Sequence, residues 1–105
     1  MKYLTITRVK DLFYMIPPER QMEIMEGLTA YIDKYRKSGK CREIYIAPGL
    51  KTGVTIWEID SGEEADRLWI ENPMYPFLDV ETYVLADFDV HVKALKEKHE
   101  HLAKK

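Results

Sequence analysis

Apolar and polar residues alternate along four segments of the chain, which is the period of a β-strand. The clearest segment is residues 78–84, where aliphatic or β-branched residues occupy every second position. Similar patterns predict strands over residues 3–9, 41–47 and 54–59. Only a short glycine-containing stretch separates the second strand from the third, so these two should form a hairpin.

Apolar residues spaced three and four apart predict two helices between these strands. The first helix opens at Pro17 and Pro18 and ends near Gly39, a residue suited to the left-handed conformation that closes a helix. The second helix follows Ser61, which makes a capping box with Glu64 and should stop near Asn72 because prolines follow. Beyond these, Asp89 is expected to cap a third, weakly amphipathic helix. The apolar stripe of the first helix consists of Met22, Met25, Leu28, Ile32 and Tyr35.

The order strand–helix–strand–strand–helix–strand predicts a ferredoxin-like split βαβ domain of the α+β class. Its four-stranded antiparallel sheet would carry both helices on one face. We assign residues 1–88 to this domain and residues 89–105 to a C-terminal helical tail. Pairing two sheets across a twofold axis would cover the free face and make a dimeric α+β barrel, so we expect a homodimer or a higher homo-oligomer.

Composition narrows the functional classes. The chain has 16 basic and 18 acidic residues and a net charge of −2, which argues against nucleic-acid binding. No apolar run approaches the length of a membrane span, and the first residues lack an apolar signal core. The single cysteine, Cys41, excludes an internal disulfide and fits a reducing compartment. We therefore expect a cytoplasmic protein that does not bind membranes.

A proline- and aromatic-rich elbow, residues 72–81 with the sequence NPMYPFLDVE, joins the second helix to the fourth strand. Together with residues 39–45, where Gly39 ends a helix and Arg42 follows in a strand, it resembles the muconolactone isomerase family. The similarity extends over roughly residues 1–88. The resemblance implies a dimeric α+β barrel with a cofactor-free site in an apolar cleft between the sheet and the helices. It also implies a reaction that moves a carbon–carbon double bond within an unsaturated lactone by proton removal and return.

Two departures from the family stand out. The family has a polar, acidic stretch in the middle of its first helix, where this chain has Gly27, Leu28, Thr29 and Ala30. The C-terminal tail is helical and charged here, unlike the tail of the family. These departures affect the substrate more than the fold, because one fold hosts many functions.

A proton-shifting isomerase needs a base beside the carbon acid and a donor or cation that stabilises the enolate. We assign the cation to Arg42 and the base to Asp79 or Glu26. The competing interpretation is that cross-strand ion pairs on an exposed or dimer-buried sheet face involve Arg42, Glu43, Asp79 and Glu81. The candidates for substrate binding are aromatic residues, because a tyrosine hydroxyl can donate to the substrate and aromatic rings can line a mostly apolar pocket. These are Tyr14, Tyr45, Trp57 and Tyr75.

The three histidines lie in the tail and lack the spacing of a metal-binding pair, so we expect no metal, and the family resemblance implies that the site uses no other cofactor. Two alternatives to the isomerase remain open. One is a non-catalytic dimeric module that binds an apolar metabolite or only assembles. The other, which the sequence favours less, is a cofactor-independent monooxygenase with a deep aromatic pocket.

Overall fold

The computed structural model describes residues 1–103 of the 105-residue chain. The four strands pair in the order β2-β3-β1-β4, with every neighbouring pair antiparallel. This confirms the ferredoxin-like α+β prediction; the pairing of two such sheets into a barrel stays a prediction. The elements follow one another as β1 (Lys2–Val9), α1 (Asp11–Met15), α2 (Pro18–Lys37), β2 (Cys41–Ala47), β3 (Thr52–Glu58), α3 (Gly62–Glu71), a 3-10 turn (Tyr75–Phe77), β4 (Leu78–Leu85) and α4 (Phe88–Ala103).

The helix ends follow the local sequence closely. The Ser61 side chain caps α3 by accepting the Glu64 N–H at 3.1 Å, and the Glu64 carboxylate accepts the Asp60 N–H at the same distance. The cap of α4 differs from the prediction, because Asp87 rather than Asp89 accepts the first free N–H groups of that helix. Between β1 and α2, residues 11–15 form the short helix α1, which is anchored by the buried ring of Phe13.

An aromatic core joins α2 and α3 to the sheet. The rings of Tyr31, Tyr35 and Trp57 meet edge to face with centroids 4.9–6.4 Å apart. The Tyr31 hydroxyl donates to the Leu68 carbonyl oxygen, and the Tyr35 hydroxyl donates to a Glu71 carboxylate oxygen at 2.6 Å. These two bonds tie α2 to α3, so the helices hold a fixed spacing above the sheet.

The elbow, residues 72–81, packs against α1 and α2 in a second core cluster. Met74 is only 2 % exposed and packs with Phe13 and Ile24 in this cluster. A Cβ atom at Gly27 would lie 3.5 Å from Pro73 Cγ, an ordinary van der Waals contact, so α2 and the elbow are neighbours at this position. The elbow is also bonded to β1, through the Lys10 N–H and the Phe77 carbonyl oxygen at 2.7 Å.

The opposite, outer face of the sheet carries no helix within residues 1–103. Its centre is aliphatic, and charged pairs occupy the end near β4. The Arg8 guanidinium donates to a Glu81 carboxylate oxygen at 2.7 Å, and the Lys10 ammonium nitrogen lies 3.7 Å from an Asp79 carboxylate oxygen. The hydrogen bond from Tyr83, together with Arg8, lowers the pKa of the Glu81 carboxyl. The central residues, all half-buried, are Leu4, Ile6, Val54 and Ile56.

The last helix, α4, projects from the domain, and the described chain measures 66 × 28 × 23 Å along its principal axes. Nearly all of its residues are exposed; Phe88 at its start is 75 % exposed, and Val92 alone is half-buried. Across the described part of the chain, no helix combines the length and apolar character needed to span a membrane. The division between residues 1–88 and 89–105 stays a prediction.

Candidate functional site

A cleft of about 510 Å³ lies between the helix-bearing face of the sheet and helices α1, α2 and α3. This volume falls in the range of small-molecule sites. Because side chains alternate across a strand, every second residue of β1, β3 and β4 faces into it. The apolar lining includes Phe13, Tyr14, Met25, Leu28, Ile44, Ile46, Trp57, Trp69, Met74, Leu78 and Val80.

Threonines supply most of the polarity on the floor of the cleft. Thr5, Thr7, Thr55 and Thr82 all face it from the neighbouring strands β1, β3 and β4. The Trp57 indole Nε1–H donates to the Thr5 hydroxyl oxygen at 3.2 Å. The Thr7 hydroxyl donates to the Gly53 carbonyl oxygen at 3.4 Å. The floor therefore presents several hydroxyl groups within a cleft whose lining is otherwise mostly apolar.

One charged side chain, Lys51, lines the cleft within the described residues. Lys51 lies in the β2–β3 turn with a φ of 51°, and its carbonyl oxygen accepts the Val9 N–H at 2.9 Å. Its ammonium lies 4.5 Å from the Tyr14 ring centroid and 3.7 Å from an Asp11 carboxylate oxygen. The turn thus holds a cation at the edge of an apolar cavity, with an exposed carboxylate beside it.

Of the four aromatic residues predicted to bind substrate, two line the cleft and two do not. Tyr14 and Trp57 line the cleft. Tyr75 packs edge to face on Trp69, 5.5 Å between centroids, so it supports a lining residue without lining the cleft itself. Tyr45 does not line it either, because it alternates with Ile44 and Ile46 along β2 and points to the outer face.

The three residues predicted to be catalytic do not line the cleft of the single chain. Arg42 is exposed at a β-bulge between Cys41 and Glu43, which breaks the alternation that would have grouped it with Ile44. Asp79 alternates with the lining residues of β4 and pairs with Lys10 on the outer face, as the ion-pair interpretation expected.

Glu26 is exposed on α2, next to the lining residue Met25 but on a different side of the helix. The structure therefore brings none of these three residues together with another. Their catalytic roles stay predictions.

The buried titratable groups of the core are poor acid–base candidates near neutral pH. Burial raises the pKa of the Tyr31 hydroxyl, and the neighbouring Tyr35 and Glu71 raise it further. Burial also raises the pKa of the Cys41 thiol, which leaves a small buried thiol rather than a nucleophile. No group of three histidine, cysteine, aspartate or glutamate side chains within residues 1–103 is arranged to hold a metal ion.

Sequence reasoning missed Lys51, Asp11 and the threonine floor. The threonines carried a signal, since Thr5 and Thr55 fall at alternating strand positions on the side that faces the helices. Lys51 carried none, because its direction depends on a left-handed turn that a lysine rarely adopts.

A four-stranded antiparallel sheet with an apolar cleft under its helices defines a ferredoxin-like α+β domain. Over residues 1–99 the chain matches the family described as muconolactone delta-isomerase, and it belongs to that family. The muconolactone delta-isomerase of Acinetobacter baylyi is 26 % identical over 70 residues, covering 67 % of this chain and 73 % of the relative. The enzyme of Rhodococcus opacus is 24 % identical over 78 residues, covering 74 % and 84 %.

A crystal structure of muconolactone isomerase superposes on this fold with a TM-score of 0.70 at 18 % identity. The match covers 83 % of this chain and 90 % of that one. At this identity the likeness supports the fold, while the residues of the cleft must be interpreted on their own.

Proposed function

We propose that this protein is an intramolecular isomerase that moves a double bond within a compact, unsaturated, oxygenated molecule such as a lactone. The observation that carries the proposal is the apolar cleft of about 510 Å³ with a single cation among its described lining residues, in a chain of the muconolactone delta-isomerase family. An apolar cavity suits the ring of such a molecule, and a cation at the edge suits an anionic substituent or a developing enolate.

We assign the two roles that the reaction needs to Lys51 and Asp11, which lie side by side at the edge of the cleft. Lys51 would pair with the negative charge of the ligand or of the enolate. Asp11, whose side chain is 96 % exposed, would take the proton from the carbon acid and return it at another carbon of the same molecule. The two groups already form an ion pair at 3.7 Å, so a ligand anion that binds Lys51 would release the carboxylate to act as a base.

Exchange of solvent deuterium into muconolactone, followed by NMR, tests this assignment. Replacing a general base typically costs about 10²–10⁴-fold in rate, so Asp11→Asn should lower kcat on that scale. Lys51→Met should raise KM, because it removes the cation that holds the ligand. Arg42→Met provides the matched control, since Arg42 lies outside the cleft. Loss of exchange in Arg42→Met with normal rates in Asp11→Asn would overturn our assignment and favour Arg42.

A second function is favoured by one specific observation. No carboxylate lines the cleft itself within residues 1–103, and Asp11 stands only at its edge. A metabolite-binding protein needs the apolar cavity and the cation but no base. Tight binding of muconolactone with no deuterium exchange would select this binding function over the isomerase.

Self-association through the outer sheet face belongs to the same proposal. The aliphatic centre formed by Leu4, Ile6, Val54 and Ile56 is half-buried in a single chain and would be covered by the same face of a second copy. A cytoplasmic location stays a prediction from the sequence.

A further inference from the structure

We propose that the hydroxyl groups of Thr55, Thr5 and Thr82 form a row that binds the uncharged oxygen atoms of the ligand. The row would make the cleft selective for a carbonyl- or ether-containing ring over a hydrocarbon ring of the same shape. This inference rests on the proposed function for its ligand class, an oxygenated ring with an anionic substituent.

Strand register places the three residues in line. Thr5 of β1 pairs with Thr55 of β3 on one side and with Thr82 of β4 on the other. Neighbouring strands lie about 4.8 Å apart, so the three side chains cross the floor of the cleft at roughly that interval. All three line the cleft. Two neighbouring hydroxyls can therefore reach oxygen atoms on different parts of one small ring.

The hydrogen bonds of these hydroxyls are incomplete. Thr55 is only 6 % exposed, and its side chain makes no hydrogen bond within residues 1–103. No side-chain polar atom of the described residues is both fully enclosed and unpaired, so the Thr55 hydroxyl opens to the cleft. Thr5 accepts a bond from the Trp57 indole, which fixes its oxygen and leaves its hydroxyl hydrogen free to donate.

A hydroxyl in an otherwise apolar cavity is costly to leave without a partner. Carbonyl oxygens of a ligand are suitable acceptors for these donors. Lys51 stands at the edge of the same cleft and would take the anionic substituent, so the ligand would be held at both ends. Thr7 differs from the row because its hydroxyl already donates to the Gly53 carbonyl oxygen.

Calorimetric binding of two probes tests the row. The first probe is muconolactone, and the second is 2-cyclopentene-1-acetic acid, which keeps the ring size and the carboxylate but lacks the ring oxygen and the carbonyl oxygen of the lactone. Losing one hydrogen bond should weaken muconolactone binding by about threefold to tenfold in Thr55→Val and in Thr5→Val. Binding of the cyclopentene acid should not weaken. Thr29→Val, a matched change on the exposed face of α2, should affect neither probe.

Two further measurements guard against a purely structural effect. Thr55→Ser keeps the hydroxyl and should retain the affinity for muconolactone that Thr55→Val loses. The infrared carbonyl stretch of bound muconolactone should lie at lower frequency in the wild type than in Thr55→Val, because a hydrogen bond weakens the C=O bond. Equal weakening of both probes, or no weakening of either, would overturn the row.

The outcomes also separate this inference from the isomerase proposal. Threonine-dependent binding without deuterium exchange would support the threonine row and refute the isomerase proposal. Deuterium exchange with an affinity that does not depend on the threonines would support the isomerase proposal and refute the threonine row. Failure of the wild-type protein to bind either probe would refute both.

Discussion

Gly27 lies in the interior of α2, directly beneath the elbow, and replacing it by alanine tests how tightly the elbow packs. A Cβ atom at this position would lie 3.5 Å from Pro73 Cγ and 3.6 Å from Pro73 Cβ. Both distances are ordinary van der Waals contacts, and the backbone of Gly27 is helical. The structure therefore offers both the space and the conformation for a methyl group.

The magnitude follows from two terms. Alanine is favoured over glycine in a helix interior by about 1 kcal/mol. Burying one methyl group contributes about 0.8 kcal/mol when burial is complete, and Gly27 is half-buried, so about half of that applies. Gly27→Ala should therefore raise the free energy of unfolding by about 1–1.5 kcal/mol. For a domain of this size, each kcal/mol shifts the melting temperature by about 4–8 °C.

Urea and thermal unfolding followed by circular dichroism measure this change, and Gly39→Ala is its matched control. A Cβ atom at Gly39 would meet no other described atom within 4 Å, but the φ of this residue is +81°, so the methyl group enters open space on a left-handed backbone. That conformation should cost alanine about 1 kcal/mol. The two variants thus have opposite expected signs. Destabilisation by Gly27→Ala would mean that the added methyl group clashes with Pro73, so that the two lie closer than 3.5 Å. That result would refute the packing argument.

Three further predictions concern the caps, the core and the outer sheet face. Ser61→Ala removes the cap of α3 and should lower the free energy of unfolding by about 1 kcal/mol in urea; an unchanged value would contradict the cap. Burial and the Glu71 carboxylate raise the pKa of Tyr35 from about 10 to about 12, so the folded state keeps a proton that the unfolded state loses. Stability should therefore fall as the pH rises from about 10 to about 12, and Tyr35→Phe should reduce that fall; an identical alkaline profile would argue against the shift. Ile6→Glu places a charge in the aliphatic centre of the outer face and should reduce the oligomeric state in sedimentation analysis, whereas an unchanged assembly would exclude this face as the interface.

The fold was predictable because its signals are local and agree with one another. Alternation in residues 78–84, the cap at Ser61 and the prolines of the elbow each fix an element or its end without reference to the rest of the chain. The α4 cap was mistaken by two residues because Asp87 and Asp89 are equally good capping residues, and only the end of β4 decides between them.

The cleft was less predictable because its chemistry depends on register and on one irregularity. Strict alternation groups Arg42 with Ile44 and Ile46, two residues that do line the cleft. The bulge inserts one residue after Cys41, so Cys41 takes the inward position opposite Trp57 and Arg42 is exposed. A single extra residue in one strand therefore exchanges a cation for a buried thiol. Alternation of apolar and polar residues does not predict a bulge, because no particular residue type marks this one. Every residue on one side of the bulge is then assigned to the wrong face of the sheet.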